Sequence, residues 1–125
     1  MKLGKVLLAG AGVSALAFAA AGSAQQEPDF AAQAEAGRTA YAASCAGCHG
    51  ADLSGGQFAG TLTGPVFQAN WGGKSASELL DYIETSMPPG GGGSLSSDTY
   101  AALTALIISE NGGEAETLLA AVVPE

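Results

Sequence analysis

At 125 residues the chain has room for one small domain. Its formal net charge of −8, from four strong cations against twelve carboxylates, argues against a nucleic-acid binder, whose phosphates need cations. The same balance argues against docking through a lysine-rich patch and describes a soluble acidic surface.

Residues 1–24, MKLGKVLLAGAGVSALAFAAAGSA, open with Lys2 and Lys5, continue as an apolar run from Val6 to Ala21 and end in Gly22-Ser23-Ala24. This order predicts a secretory signal peptide cleaved after Ala24 and a periplasmic location. An uncleaved membrane anchor is the rival reading, because the apolar run is near the lower limit for spanning a bilayer. There is no twin arginine, and no cysteine near the cleavage point, which argues against a Tat substrate and a lipoprotein. With this segment removed, Arg38 and Lys74 are the remaining strong cations.

Residues 25–29 are a flexible start, and the domain proper is expected over 30–112. Asp29 can cap a helix over Phe30–Ser44, in which Phe30, Ala34, Gly37 and Tyr41 recur on one face. Gly37 costs helix stability, which predicts a close helix contact there. Residues 50–74 are rich in glycine and lack helical period, so they read as a long loop with at most one short helical turn.

Ser75 and Glu78 fit a capping box for a helix over Ala76–Thr85, with Leu79, Leu80 and Ile83 as its apolar face. Glu78, Asp81 and Glu84 form a solvated face. Pro88 and Pro89 end the helix, and Gly90–Gly93 follow as a flexible linker. A phosphate-binding loop is disfavoured there, since no strand precedes it and no lysine follows. Ser96 can cap the last long helix, lined by Tyr100, Leu103, Leu106 and Ile107 and stopped by Asn111-Gly112. Residues 113–125 form a tail whose LLAAVV could add a short helix, drape over the surface or dock on a larger complex. No repeat or strand pattern carries weight, and the predicted class is all-α.

Both cysteines and the lone histidine fall within five positions, as Cys45, Cys48 and His49 of SCAGCHG. Three chemistries compete. In c-type haem attachment the two thiols add to the two vinyl groups of one haem, and the adjacent imidazole is held beneath the iron with Nε2 as axial ligand. A redox dithiol usually follows a strand of a βαβ unit, which is missing here. A zinc site needs four ligands, and no further cysteine or histidine exists. A structural disulfide would explain the cysteines and not the histidine. The motif therefore predicts one covalent haem c per chain.

What faces the iron opposite His49 follows partly from elimination. No second histidine exists, and after signal removal the one methionine is Met87, in TSMPPGG. The prolines behind it hold the backbone extended and help present a thioether. Met87 is the expected second axial ligand, with an open site or Lys74 as alternatives. A soft sulfur ligand favours reduced iron, and a six-coordinate iron has no vacancy for a substrate. The expected function is single-electron transfer between redox protein partners, with no enzyme activity and no small-molecule substrate. A haem enzyme or gas sensor with a labile sixth ligand is the competing class, and a fixed electron-transfer subunit of a dehydrogenase is a third.

The segments GRTAYAASCAGCHGADLSG, LTGPVFQANWGG, SELLDYIETSMPPG and GSLSSDTYAALTALIISENG resemble class I monohaem c-type cytochromes over roughly residues 37–112. The pattern of Leu62, Gly64, Phe67 and Trp71 is similar to small cytochromes associated with bacterial quinoprotein alcohol dehydrogenases. The resemblance implies three main helices around one haem, with the first and last crossing near Gly37. It implies Cys45 and Cys48 as thioether anchors, His49 as proximal and Met87 as distal ligand, and Leu62 and Trp71 against the haem, Trp71 near a propionate. It implies a dehydrogenase as electron donor and an oxidase or another cytochrome as acceptor. Two departures stand out. Gly60 occupies a position where relatives carry a proline whose carbonyl receives the histidine Nδ1–H, which predicts a looser loop. Leu106 stands where relatives often carry an aromatic, which predicts looser packing against Gly37 and Tyr41.

Overall fold

The computed structural model describes residues 29–113, together with Gly10 and Gly12. The expected signal peptide and most of the C-terminal tail lie outside the described residues. Among the latter the structure is all-helical: α1 (Phe30–Ser44), α2 (Ala46–His49), α3 (Gly64–Trp71), α4 (Ala76–Ser86) and α5 (Ser97–Glu110). No helix among the described residues is long and apolar enough to cross a membrane.

The frame is the crossing of α1 on α5. Ala34, Gly37 and Tyr41 are the buried residues of α1, the face its spacing predicts. A Cβ on Gly37 would overlap the carbonyl of Ala102, so the two helix backbones meet where a side chain would hold them apart. The expected looseness at Leu106 is not found. Leu106 is fully buried, and its Cβ lies 3.0 Å from where a Gly37 Cβ would be. A leucine fills this site because the glycine lets the helices approach closely, leaving no room that an aromatic would be needed to fill.

Helix α5 is the centre of the domain. Every residue from Ala102 to Ile108 is buried, Thr104 included, whose hydroxyl donates to the carbonyl of Tyr100 at 2.8 Å. Burying side chains such as Leu103 and Leu106 contributes about 1.5–3 kcal/mol each. Arg38 of α1 reaches Glu110 of α5 at 2.7 Å and pairs with Glu35 at 3.4 Å, at the exposed rim of the same crossing.

Helix α4 packs on α5 through Leu79 and Ile83. Its start is the predicted capping box: the Ser75 hydroxyl accepts from Glu78 N at 3.2 Å, and the Glu78 carboxylate accepts from Ser75 N at 2.7 Å. Ser96 caps α5 in the same manner, accepting from Thr99 N at 3.2 Å. Asp29 stands at the N-cap of α1, but its side chain makes no capping bond.

Two expectations are corrected. Residues 64–71 are not loop but a helix of eight residues, α3, with Pro65 in its first turn, where the missing N–H costs nothing. Gly90–Gly93 are not a linker but a pinned turn. Gly91 N donates to Pro88 O at 2.8 Å, and Gly93 N donates to Glu84 O at 2.7 Å. Gly92 lies against the carbonyl of Thr85, where a Cβ would collide.

Candidate functional site

The cysteine motif is one turn of helix that continues from α1 across a break at Cys45. The Cys45 N–H donates to Tyr41 O at 2.9 Å, and Cys45 O accepts from Cys48 N at 3.1 Å and His49 N at 3.0 Å. The helical spacing puts Cys45, Cys48 and His49 at i, i+3 and i+4, on one side of the turn. The two sulfurs are not joined in a disulfide; Cys45 is half-buried and Cys48 exposed. Burial, and then the neighbouring Cys48, push the Cys45 thiol up from its ordinary value.

The loop after the motif folds back on it. Gly55 N donates to His49 O at 2.8 Å, and Leu62 N donates to Leu53 O at 2.8 Å. Leu53 takes the left-handed conformation, φ 63°, which is costly for a branched side chain. Its burial in the core offsets that cost. The Tyr41 hydroxyl donates to Gly50 O at 2.6 Å, and desolvation pushes this phenol up to about 12. Asp52, exposed beside the loop, is held below the usual carboxylate range by the hydroxyl and amide of Ser54.

The loop carries Gly60 to His49: the carbonyl of Gly60 lies 2.8 Å from Nδ1. A carbonyl can only accept, so Nδ1 carries the proton, and the other nitrogen of the neutral ring, Nε2, is left with its lone pair free for a metal. The bond expected of a proline carbonyl is thus made by glycine.

Motif, loop and helices enclose one cavity of about 460 Å³. All six residues singled out from the sequence line it: Cys45, Cys48, His49, Leu62, Trp71 and Met87. Lys74, the alternative to Met87, does not; its Nζ lies 4.9 Å from the centre of the Trp71 ring, beside a second, smaller cavity. Met87 follows α4 with extended backbone, φ −122° and ψ 144°, as the prolines predict.

The remaining lining is mainly apolar and includes Phe67, Leu79, Ile83, Leu103 and Ile107. Trp71 stacks on Phe67 with ring centroids 6.3 Å apart and meets Tyr82 of α4 at 5.2 Å. Phe58 and Tyr82 line the cavity yet are 78% and 47% exposed, so they stand at its mouth.

Three contributors escaped the sequence reading. Phe58 sits in the glycine-rich stretch, where nothing periodic marks it. Tyr82 belongs to α4 but falls beside, not on, its apolar face. Asn111, read as a helix stop, also donates through Nδ2 to Leu62 O at 2.8 Å and accepts from Gln68 Nε2 at 3.1 Å. It ties the end of α5 to the loop beside Gly60 and to α3.

The cavity's residues fit a haem. Its volume lies within the range of about 300–1,000 Å³ typical of cofactor sites. Its walls are apolar, as a flat porphyrin requires, and its donors are two thiols, one imidazole nitrogen with a free lone pair and one thioether.

Comparison with known proteins points to a haem protein as well. A family model described as cytochrome c oxidase, cbb3-type, subunit III matches residues 32–107, from the first turn of α1 through most of α5. No curated protein and no solved structure matches the chain significantly. The match spans the cysteine motif, the loop that holds its histidine and the Met87 segment, so the chain belongs to this cytochrome family and is a c-type cytochrome, a haem-based electron carrier.

Proposed function

We propose that the protein is a periplasmic single-electron carrier. It would hold one haem covalently through Cys45 and Cys48, with Nε2 of His49 and the sulfur of Met87 as the residues' donors to its iron. The observation that carries this reading is the convergence of the four side chains on one apolar cavity while Nδ1 of His49 is already committed to Gly60. When bound, the haem supplies one-electron redox chemistry at its iron.

The chain's own residues do the rest. Gly60 orients the imidazole and raises its basicity as a ligand. Met87 contributes a soft donor that stabilises reduced iron and so raises the potential. Phe67, Leu79, Ile83 and Leu103 exclude water, which disfavours the more highly charged oxidised centre. Leu62 and Trp71 line the walls, and the Trp71 indole N–H suits a propionate. With His49 and Met87 both as ligands the iron would keep no site for oxygen or substrate, which favours a carrier over a haem enzyme or gas sensor.

The partners would be redox proteins: a dehydrogenase as donor, with quinoprotein alcohol dehydrogenases suggested by the Leu62–Trp71 pattern, and an oxidase or another cytochrome as acceptor. An acidic carrier meets a partner with a basic or apolar rim most readily. The signal-like residues 1–24 support a periplasmic location. The description of the matching family, an oxidase subunit, favours a second reading in which the domain works as a fixed part of a larger oxidase complex. Co-purification of a stoichiometric partner from native membranes would select it.

Met87→Ala tests the ligand set. The variant is expected to retain its haem, lose the methionine-to-iron charge-transfer band of the oxidised protein, fall in potential and bind carbon monoxide when reduced. An unchanged potential with no ligand uptake would show that Met87 is not coordinated.

A further inference from the structure

Met87 ends α4, half-buried, and its side chain has several freely rotating bonds. The sulfur is therefore placed only as firmly as the backbone it hangs from. Both polar backbone groups of residue 87 are held, and by different helices. The N–H donates to Ile83 O of α4 at 2.9 Å, and the C=O accepts from the Tyr100 hydroxyl of α5 at 2.8 Å. The same hydroxyl accepts from Leu95 N at 3.4 Å, a longer contact. One oxygen thus closes the 87–95 segment at both ends. The other bonds of the segment, Gly91 N to Pro88 O, Ser94 N to Gly91 O and Gly93 N to Glu84 O, hold the turn to itself and to α4.

Tyr100 is 0% exposed and lines the cavity beside Met87. A phenylalanine would fill the same space without a buried hydroxyl that must find partners. We propose that Tyr100 is a positioning residue for Met87, its hydroxyl latching the 87–95 segment to α5 and so setting how readily the sulfur leaves the iron. This rests on the ligation of iron by Met87 proposed above. The sulfur leaves when its segment swings away, and that movement breaks the Tyr100 bond as well. Without the bond, the ligand-off population rises. An external ligand that binds this population gains apparent affinity in proportion. The expected factor is about tenfold, the upper end of what one neutral hydrogen bond contributes.

The test is titration of the oxidised, haem-loaded wild type, Tyr100→Phe, Ile108→Ala and Met87→Ala proteins with imidazole, following the methionine-to-iron charge-transfer band and the Soret shift. Ile108 is a buried α5 residue that does not line the haem cavity, so its truncation loosens the core without touching the latch. The expected result is imidazole affinity about tenfold tighter in Tyr100→Phe, with the band still present before titration, and unchanged affinity in Ile108→Ala. Wild-type affinity in Tyr100→Phe, or an equal gain in Ile108→Ala, would overturn the latch while leaving Met87 as ligand. A Tyr100→Phe protein that retains no haem would make Tyr100 a residue of the fold and would also overturn it. A wild type without the band, indistinguishable from Met87→Ala, would remove the ligand set itself and the latch with it.

Discussion

Nδ1 of His49 donates to the carbonyl of Gly60 at 2.8 Å, so the backbone of a loop, not a side chain, sets the histidine's tautomer. The bond survives the glycine because any residue has the carbonyl. Neither the backbone conformation nor the neighbouring protein atoms demand a glycine there. A Cβ at position 60 meets nothing within 4 Å, and the residue is not among those with left-handed backbone. Gly60→Ala is expected to keep the histidine bond and to stabilise the protein by about 0.4–1 kcal/mol, through the lost freedom of the unfolded chain. Thermal unfolding of the haem-loaded variant checks this, and a lowered midpoint would show that the loop needs glycine.

Asn111 holds the neighbouring carbonyl of Leu62 at 2.8 Å from the end of α5. Asn111→Ala leaves that carbonyl without its partner and cuts the tie to Gln68. The expected cost is about 1–3 kcal/mol in denaturant unfolding. Amide exchange at Leu62, which bonds to Leu53 O, should quicken more than exchange in the middle of α1. Equal effects at both places would mean that Asn111 acts on the whole domain and not on the loop.

Gly37→Ala adds one methyl group where α1 meets the Ala102 carbonyl. Alanine is the better helix former, by about 0.8–1.0 kcal/mol, so propensity alone predicts a gain. The obstacle is backbone, which cannot rotate aside, so overpacking at about 1–3 kcal/mol wins or at least cancels. A fall in the unfolding midpoint is expected, and a clear rise would show that the helices can separate without loss.

The capping box of α4 carries a pH dependence. The amide and hydroxyl of Ser75 hold the Glu78 carboxyl below its ordinary value of 4.5. A carboxyl depressed in the folded state stabilises fully above its unfolded value, and that contribution fades as the pH falls through the folded one. Between about pH 6 and pH 3 the wild type should therefore lose more stability than Glu78→Gln, which keeps the cap geometry without the charge. Parallel curves for the two proteins would show that the charge contributes nothing.

Much of the fold was legible because its signals are local. The bounds of α1, the capping box of α4, the Ser96 cap of α5 and the Gly37 crossing all follow from residues within a turn or two of each other, or from a missing side chain. Helix α3 was hidden for the same reason. Gly64 and Pro65 at its start and Gly72-Gly73 after its end read as loop. Its apolar pattern is short as well: Phe67 and Trp71 share a face, but Val66 beside them is exposed. The site divides in the same way. Cys45, Cys48, His49 and Met87 were singled out by the chemistry that scarce residue types allow, and the structure brings all four to one cavity. The hydrogen bonds of Tyr100 and Asn111 were not legible, because each reaches a carbonyl 13 or 49 positions away, and no local pattern marks such a pairing.

A haem bound covalently to Cys45 and Cys48 is the premise on which the proposed ligands, partners and latch all depend. Intact-mass spectrometry under denaturing conditions, on protein made in cells equipped for cytochrome c maturation, tests it most directly. The expected mass is that of the polypeptide plus one haem, with both cysteines inert to a thiol reagent. A colourless protein of bare polypeptide mass, alkylated at both Cys45 and Cys48, would contradict it.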